Sequence, residues 1–276
     1  MSQQKQKPVG TGYVSLLMSV VALMCLEMPT ATAQADDDTK FSLSVGVFLT
    51  DRSGRTRVDG TAGMEGTEVD VEGDLGLNRS DSVFRIDGYY RFNKKHRLDF
   101  SVFDLSRSAS KVIQKDIEWN ETLFPIDTIV HSNFDLTIYK IAYTWSFMRR
   151  DKGYLGLTAG LYIADFGTRL EGEAIGELES SGFTAPLPVI GLRGQYDFTE
   201  KLSFRASGEI FAIEYEDYSG SLYDIYAGLD YQFFKHVAIG IGVNAVKINI
   251  GISKERFNGD IDWRYDGGMV FFKFDF

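Results

Sequence analysis

Residues 267–276 read GGMVFFKFDF, and their order sorts the side chains by parity. Val270, Phe272, Phe274 and Phe276 fall on one parity, while Met269, Phe271, Lys273 and Asp275 fall on the other. In a β-strand, alternate residues point to opposite faces. This segment is therefore a strand with one face built almost wholly of phenylalanine, and that face must be covered by protein or by lipid.

The same period of two runs back through the chain. In 221–234, SLYDIYAGLDYQFF, the residues Tyr223, Ile225, Ala227, Leu229, Tyr231 and Phe233 share one face, and Asp224, Tyr226, Gly228, Asp230 and Gln232 share the other. Tyr139, Ile141, Tyr143, Trp145 and Phe147 form another apolar row, as do Ile190, Leu192, Gly194, Tyr196 and Phe198. Aromatic residues gather at the ends of these rows beside short turns, as rings do at the two interfaces of a membrane. A soluble sandwich explains the alternation but not this placement.

Connections separate the two architectures further. Asn93-Lys94-Lys95, Arg149 to Lys152, Thr199-Glu200 and Phe234-Lys235-His236 are tight and polar, whereas 108–130, 168–182 and 254–259 are longer, with a shorter link near Ser219-Gly220. Alternation of short and long connections belongs to a transmembrane barrel with short periplasmic turns and longer outer loops. Strands are expected at about 41–51, 82–93, 96–108, 132–148, 153–168, 184–198, 201–216, 220–234, 236–252 and 260–276. The expected fold is an all-β, antiparallel, up-and-down transmembrane barrel of ten strands, both ends periplasmic. Eight or twelve remain open, because 52–81 has room for a further hairpin.

The first residues read as an export signal. Lys5 and Lys7 precede the apolar run 13–26, and Ala33-Gln34-Ala35 offers small residues where a signal peptidase cuts. The expected division is a signal peptide at 1–35 and a single barrel domain at 36–276. Cleavage removes Cys25, the sole cysteine, so neither disulfides nor thiol chemistry are expected afterwards. The formal charge of −10 argues against binding nucleic acid through its phosphates, and no nucleic-acid partner is expected.

Export signal, alternating amphipathic strands and the aromatic Phe276 together resemble Gram-negative outer-membrane proteins, over essentially all of 40–276. In size the chain is similar to small barrels between the OmpA type and the omptin proteases. The resemblance implies location in the bacterial outer membrane and contact with its lipid and lipopolysaccharide. It also implies insertion by the barrel-assembly machinery, with Phe276 as the assembly signal. A monomer is expected, with no cofactor and no metal.

Inward positions follow as the complement of the lipid-facing ones. The charges among them are Arg85, Asp87, Arg91, Arg97, Asp99, Lys140, Arg193, Asp197, Arg205, Glu209, Asp224, Asp230 and Lys273. Both signs alternate within single strands, which favours mutual neutralisation in a filled lumen over a selectivity ring of one sign. Gly156, Gly160, Gly240 and Gly242 share the inward parity and suggest thin points that leave a narrow water path. A structural barrel or a narrow small-solute channel is the leading functional expectation.

Two alternatives stand beside it. A hydrolase acting on lipid or peptide at the rim would use His131, with Asp104, Asp135 and Asp165 near it, but His131 and Ser132 are adjacent in a strand and face opposite ways. No catalytic residue is therefore assigned. Surface adhesion would use the outer loops, with Glu118 to Ile129 as the exposed apolar segment. Glu68, Asp70, Glu72, Asp74 and Asp81 suggest a solvated acidic loop, or one holding calcium, although their spacing is not that of the twelve-residue calcium loop. Val69, Val71, Leu75 and Leu77 alternate within it, as expected of a segment that lies on the rim or enters the lumen as a partial plug.

Overall fold

The computed structural model describes residues 39–60, 65–173, 176–215, 218–254 and 257–276. The expected signal peptide lies outside the described residues. In chain order the strands are β1 (Phe41–Asp59), β2 (Val69–Asp70), β3 (Ser80–Asn93), β4 (His96–Asp104), β5 (Arg107–Val112), β6 (Ile117–Trp119) and β7 (Thr122–Phe124). They continue with β8 (Ile129–Arg150), β9 (Gly153–Gly172), β10 (Glu177–Asp197), β11 (Leu202–Tyr215), β12 (Tyr218–Phe234), β13 (Val237–Lys254) and β14 (Phe257–Asp275).

Ten of these positions form the wall. Each neighbours the next in sequence, from β14 back through β8, then β4, β3 and β1, and β1 pairs with β14 to close the barrel. Strand β5 prolongs β4 along β8 after a break at Leu105-Ser106. The short segments β2, β6 and β7 belong to the outer loops, and the described residues of 52–81 contribute no additional wall strand. Pairing of β1 with β14 leaves the sheet without an outermost strand, which is the condition a spanning sheet must meet. At the closing seam, Lys40 and Phe41 donate backbone N–H bonds to the carbonyl of Phe276.

Side-chain exposure draws the membrane on the wall. Val47, Leu49, Phe84, Tyr139, Ile141, Leu157, Ile190, Ile210, Ile241, Val270 and Phe272 all point outward and are exposed. Each row ends, toward the outer side, on a polar residue. Asp104, Thr137, Asp165 and Thr184 stand side by side across four strands, and Asp51 opposes Asp266 at the closing seam. The Thr184 hydroxyl donates to Asp165 at 2.7 Å, which marks the upper border of the lipid belt as polar.

The strands do not stop there. β8 has 22 residues, against the 9 to 11 that a tilted strand needs to cross. The barrel therefore rises above the membrane, more than the expected strand ends had indicated.

Candidate functional site

The barrel interior is layered. On the periplasmic side and at mid-depth, every one of the thirteen charges inferred from parity lies on the inner side of the wall. Seven cations, Arg85, Arg91, Arg97, Lys140, Arg193, Arg205 and Lys273, share the interior with the six carboxylates Asp87, Asp99, Asp197, Glu209, Asp224 and Asp230, and Asp275 supplies the seventh. These fourteen groups balance one another in formal charge.

Its centre is one connected chain. Arg85 donates to Asp87 at 2.9 Å and to the side-chain Oδ1 of Asn244 at 2.7 Å, and the Asn244 side-chain amide donates in turn to Asp224. Lys140 bridges Asp224, at 3.6 Å, and Glu209. Glu209 also accepts from Arg193 at 3.2 Å and from the Tyr162 hydroxyl at 3.1 Å. Arg193 then faces Asp99 at 3.8 Å, and Asp99 pairs with Arg97 at 3.0 Å and accepts from Thr144 at 2.6 Å. Separate pairs flank this chain: Arg205 with Asp230 at 2.7 Å and Lys273 with Asp275 at 2.8 Å. Gln195 donates to Asp197 at 2.9 Å.

Aromatic faces fill the gaps. The guanidinium of Arg97 lies 4.6 Å from the Tyr89 ring centre, and that of Arg85 lies 4.7 Å from Phe103. A cavity of about 80 Å³ remains among these groups, enough for on the order of five waters.

The inward glycines are not thin points. A Cβ on Gly240 would stand 2.1 Å from the ring of Phe271, and one on Gly242 would stand 3.0 Å from that of Tyr226. On Gly160 and Gly156 a Cβ would meet Ala142 and Thr144. These positions are small because the neighbouring strand fills the space in front of them.

Above the charges the interior becomes apolar. Phe48, Phe103, Ile138, Leu222, Val246 and Tyr265 form a first tier, and Phe134, Leu136, Phe166, Ile248 and Trp263 a second. The outer loops complete the stopper from above. Val69, Val71 and Leu75 from 60–79, with Ile113, Ile117, Trp119 and Phe124 from 113–128, are all fully buried. The segment 52–81 is thus the upper half of β1 followed by a plug, one of the two placements that its alternation allowed.

Charges pin this plug. Glu72 is buried, pairs with Arg107 at 2.5 Å and accepts the Gly54 N–H at 3.0 Å, while Arg107 lies over the Trp263 ring. Asp70 accepts the N–H groups of Glu72 and Gly73. Burial opposes ionisation of Asp70, yet these two N–H donors outweigh it and hold the carboxyl below the ordinary carboxylate range. Asp74 pairs with Lys115 at 2.7 Å and Asp81 with Arg52 at 3.3 Å. The acidic loop is therefore neither simply solvated nor convergent: its carboxylates are divided among separate cations and N–H donors. Among the described residues, no three histidine, cysteine or acidic side chains are grouped as a metal site would need.

The segment 118–129 is in part the exposed apolar face expected. Trp119 and Phe124 are buried in the plug because the β6–β7 hairpin turns them inward, while Leu123, Pro125, Ile126 and Ile129 stay outside. Asp104, Asp135 and Asp165 point outward from the wall, away from the mouth.

Sequence reading missed one polar contact on the outer surface. Register sets Ser110 of β5 opposite His131 of β8, and Ser110 Oγ lies 2.6 Å from His131 Nδ1. Glu173 approaches His131 Nε2 at 3.8 Å. The other two histidines sit by the short turns, His96 against Tyr143 and His236 against the Asp275 carbonyl at 2.8 Å. A second cavity, of about 580 Å³, opens at the outer rim beside Arg55, Arg57, Ile213, Asn249, Asp260 and Asp262.

A closed antiparallel barrel of ten strands with a lipid-facing belt and a charge-paired lumen is the architecture of the small outer-membrane β-barrels. Among solved structures, it is similar to the outer membrane protease OmpT of Escherichia coli, with a TM-score of 0.56 at 10% identity, covering 87% of this chain and 98% of that one. Ail, the attachment invasion locus protein of Yersinia pestis, matches with a TM-score of 0.37 at 11% identity, covering 84% and 97%. The toluene transporter TodX of Pseudomonas putida matches with a TM-score of 0.34 at 8% identity, covering 90% and 92%. No family model matches the chain. No curated protein matches it either. At such identities the likeness to OmpT is one of fold alone.

Proposed function

We propose that this protein is a non-conducting outer-membrane barrel with a structural role, a rigid body whose lumen is filled rather than used for passage. One observation carries this reading: the apolar stopper from Phe48 to Trp119 lies directly above fourteen groups that balance one another in formal charge. An ion would have to cross desolvating carbon and then break buried pairs that already satisfy one another. The purified barrel, placed in planar bilayers, is expected to give no discrete conductance steps. Reproducible steps that vanish on heat denaturation would overturn the proposal.

A second reading, hydrolysis at the rim, is favoured by the Ser110–His131 contact. In that chemistry His131 takes the hydroxyl proton as Ser110 Oγ bonds to an ester carbonyl carbon. The imidazolium, with Glu173 as its charge partner, then returns the proton to the departing alcohol, and water, deprotonated by the same imidazole, releases the acid from the acylated Ser110 as Oγ regains its proton. The three groups are exposed, so water competes with any ester there. Hydrolysis of a short-chain nitrophenyl ester by the reconstituted protein, if present, must fall in both S110A and H131A. Unchanged hydrolysis in either variant removes the reading.

A further inference from the structure

The ladder between β10 and β11 ends early. It runs from Asp197↔Ser203 to Ile190↔Ile210 and no further. Above that pair, β10 stays bonded to β9 as far as Glu177↔Gly172, and β11 stays bonded to β12 as far as Tyr215↔Tyr218. Each strand keeps its far neighbour and loses its near one.

Depth makes this consequential. The lipid belt on β10 extends to Thr184, and on β11 it reaches Ala212 before the exposed Glu214. The strands therefore part inside the outer half of the belt, where an unpaired N–H or C=O has no water to turn to. A second parting, between β3 and β5, lies higher. It is bridged by Arg107 donating to the Asn78 carbonyl and by Arg52 donating to that of Leu105.

Between β10 and β11 the chain answers with Pro186 and Pro188. Both sit on the same parity, so their nitrogens face the same neighbour, and neither carries an N–H. The ladder with β9 runs unbroken through Pro186↔Ile163 and Pro188↔Leu161. A proline within a sheet turns its nitrogen to the free edge, so the missing donors lie on the β11 side. Two polar groups are thereby deleted from an edge that faces lipid.

What lies behind the parting is carbon. Leu187 and Val189 are buried in the apolar tier, Phe211 packs against it, and Ile190 and Ile210 at the base are 65% and 55% exposed. Ile213, above them on β11, is 49% exposed although it shares the inward parity of Phe211. We propose that the β10–β11 parting is a lateral slot that takes the hydrocarbon chain of an outer-leaflet lipid against Phe211, Ile213 and the two prolines, over the buried Leu187 and Val189, with the polar end of that lipid beside Glu214. The slot ends on the packed tier, so it needs no path through the lumen and does not depend on the non-conducting reading.

Fluorescence quenching by acyl-brominated phosphatidylcholine in reconstituted vesicles tests this. A W145F background removes the lipid-facing tryptophan and keeps the buried Trp119 and Trp263. F211W in that background is expected to be quenched as strongly as Trp145 is in the parent. V246W, inward on a strand paired on both sides, is expected to stay unquenched. Equal quenching of F211W and V246W overturns the slot. A cross-linking pair gives an independent answer should F211W misfold. P188C/A212C, two register steps beyond the ladder's last pair, is expected to resist oxidation to a disulfide, whereas I190C/I210C, at that last pair, cross-links. Efficient cross-linking of P188C/A212C shows a closed wall and overturns the proposal.

Discussion

Removing the charge of Glu209 is the sharpest perturbation of the filled lumen. Glu209 is 1% exposed and meets Lys140, Arg193 and the Tyr162 hydroxyl at once. E209Q keeps the shape and one acceptor oxygen but leaves the layer with an uncompensated positive charge. Deleting one partner of a buried ion pair costs about 3–5 kcal/mol. Here Lys140 retains Asp224 at 3.6 Å and Arg193 retains Asp99 at 3.8 Å, which softens the loss. The expected cost is therefore at the lower end, about 3 kcal/mol. K140M in the same chain removes the matching cation, and the double variant should recover to within about 1 kcal/mol of the parent, since a buried pair replaced by apolar volume is often neutral. The assay is urea unfolding in vesicles, followed by the heat-modified shift on gels. An E209Q cost below about 0.5 kcal/mol, as for a surface change, would refute the reasoning, as would a K140M effect that adds to E209Q instead of offsetting it.

Three further outcomes follow from the packing. G240V drives a side chain into Phe271 and is expected to cost about 1–3 kcal/mol, a cost that F271A should relieve; urea titrations of the single and double variants decide it. W119A removes the fully buried anchor of the plug and should cost about 3–5 kcal/mol, read as faster protease cleavage between residues 113 and 128. Asp70 gives the plug a pH dependence. Its folded-state value lies below the ordinary carboxylate pKa of about 3.9, so its contribution is complete above that pH and is lost as pH falls through the lower value. Amide exchange at Gly73 should be slow from neutral pH down to that range and then rise, and D70N should exchange quickly throughout; a D70N profile matching the parent would dismiss the anchor.

The wall and its polarity were legible because the pleat fixes which face each residue takes. Once Phe272 was assigned to lipid, Lys273 had to point inward, and the same step placed Arg85, Glu209 and Asp224. What parity cannot supply is the neighbour across the ladder. Gly240 reads as a gap until Phe271 is known to lie over it, and Ser110 means nothing until register sets it beside His131. Pro186 and Pro188 sit inside an expected strand, yet their effect depends on which neighbour their nitrogens face. The plug was ambiguous for another reason. Val69, Val71 and Leu75 alternate as a membrane strand would, and only the continuation of β1 to Asp59 leaves them nowhere to go but the mouth.

The polar border at Asp104, Thr137, Asp165 and Thr184 also sets a height. On β8 the chain climbs eight more residues from Thr137 to Ile129, which at strand rise and barrel tilt is about 20 Å. The mouth thus stands on a collar, clear of the level where lipid headgroups meet the wall. Molecules that touch the mouth come from the medium or from another cell, while those that touch the β10–β11 slot come sideways from the bilayer. One wall therefore presents two addresses at two altitudes.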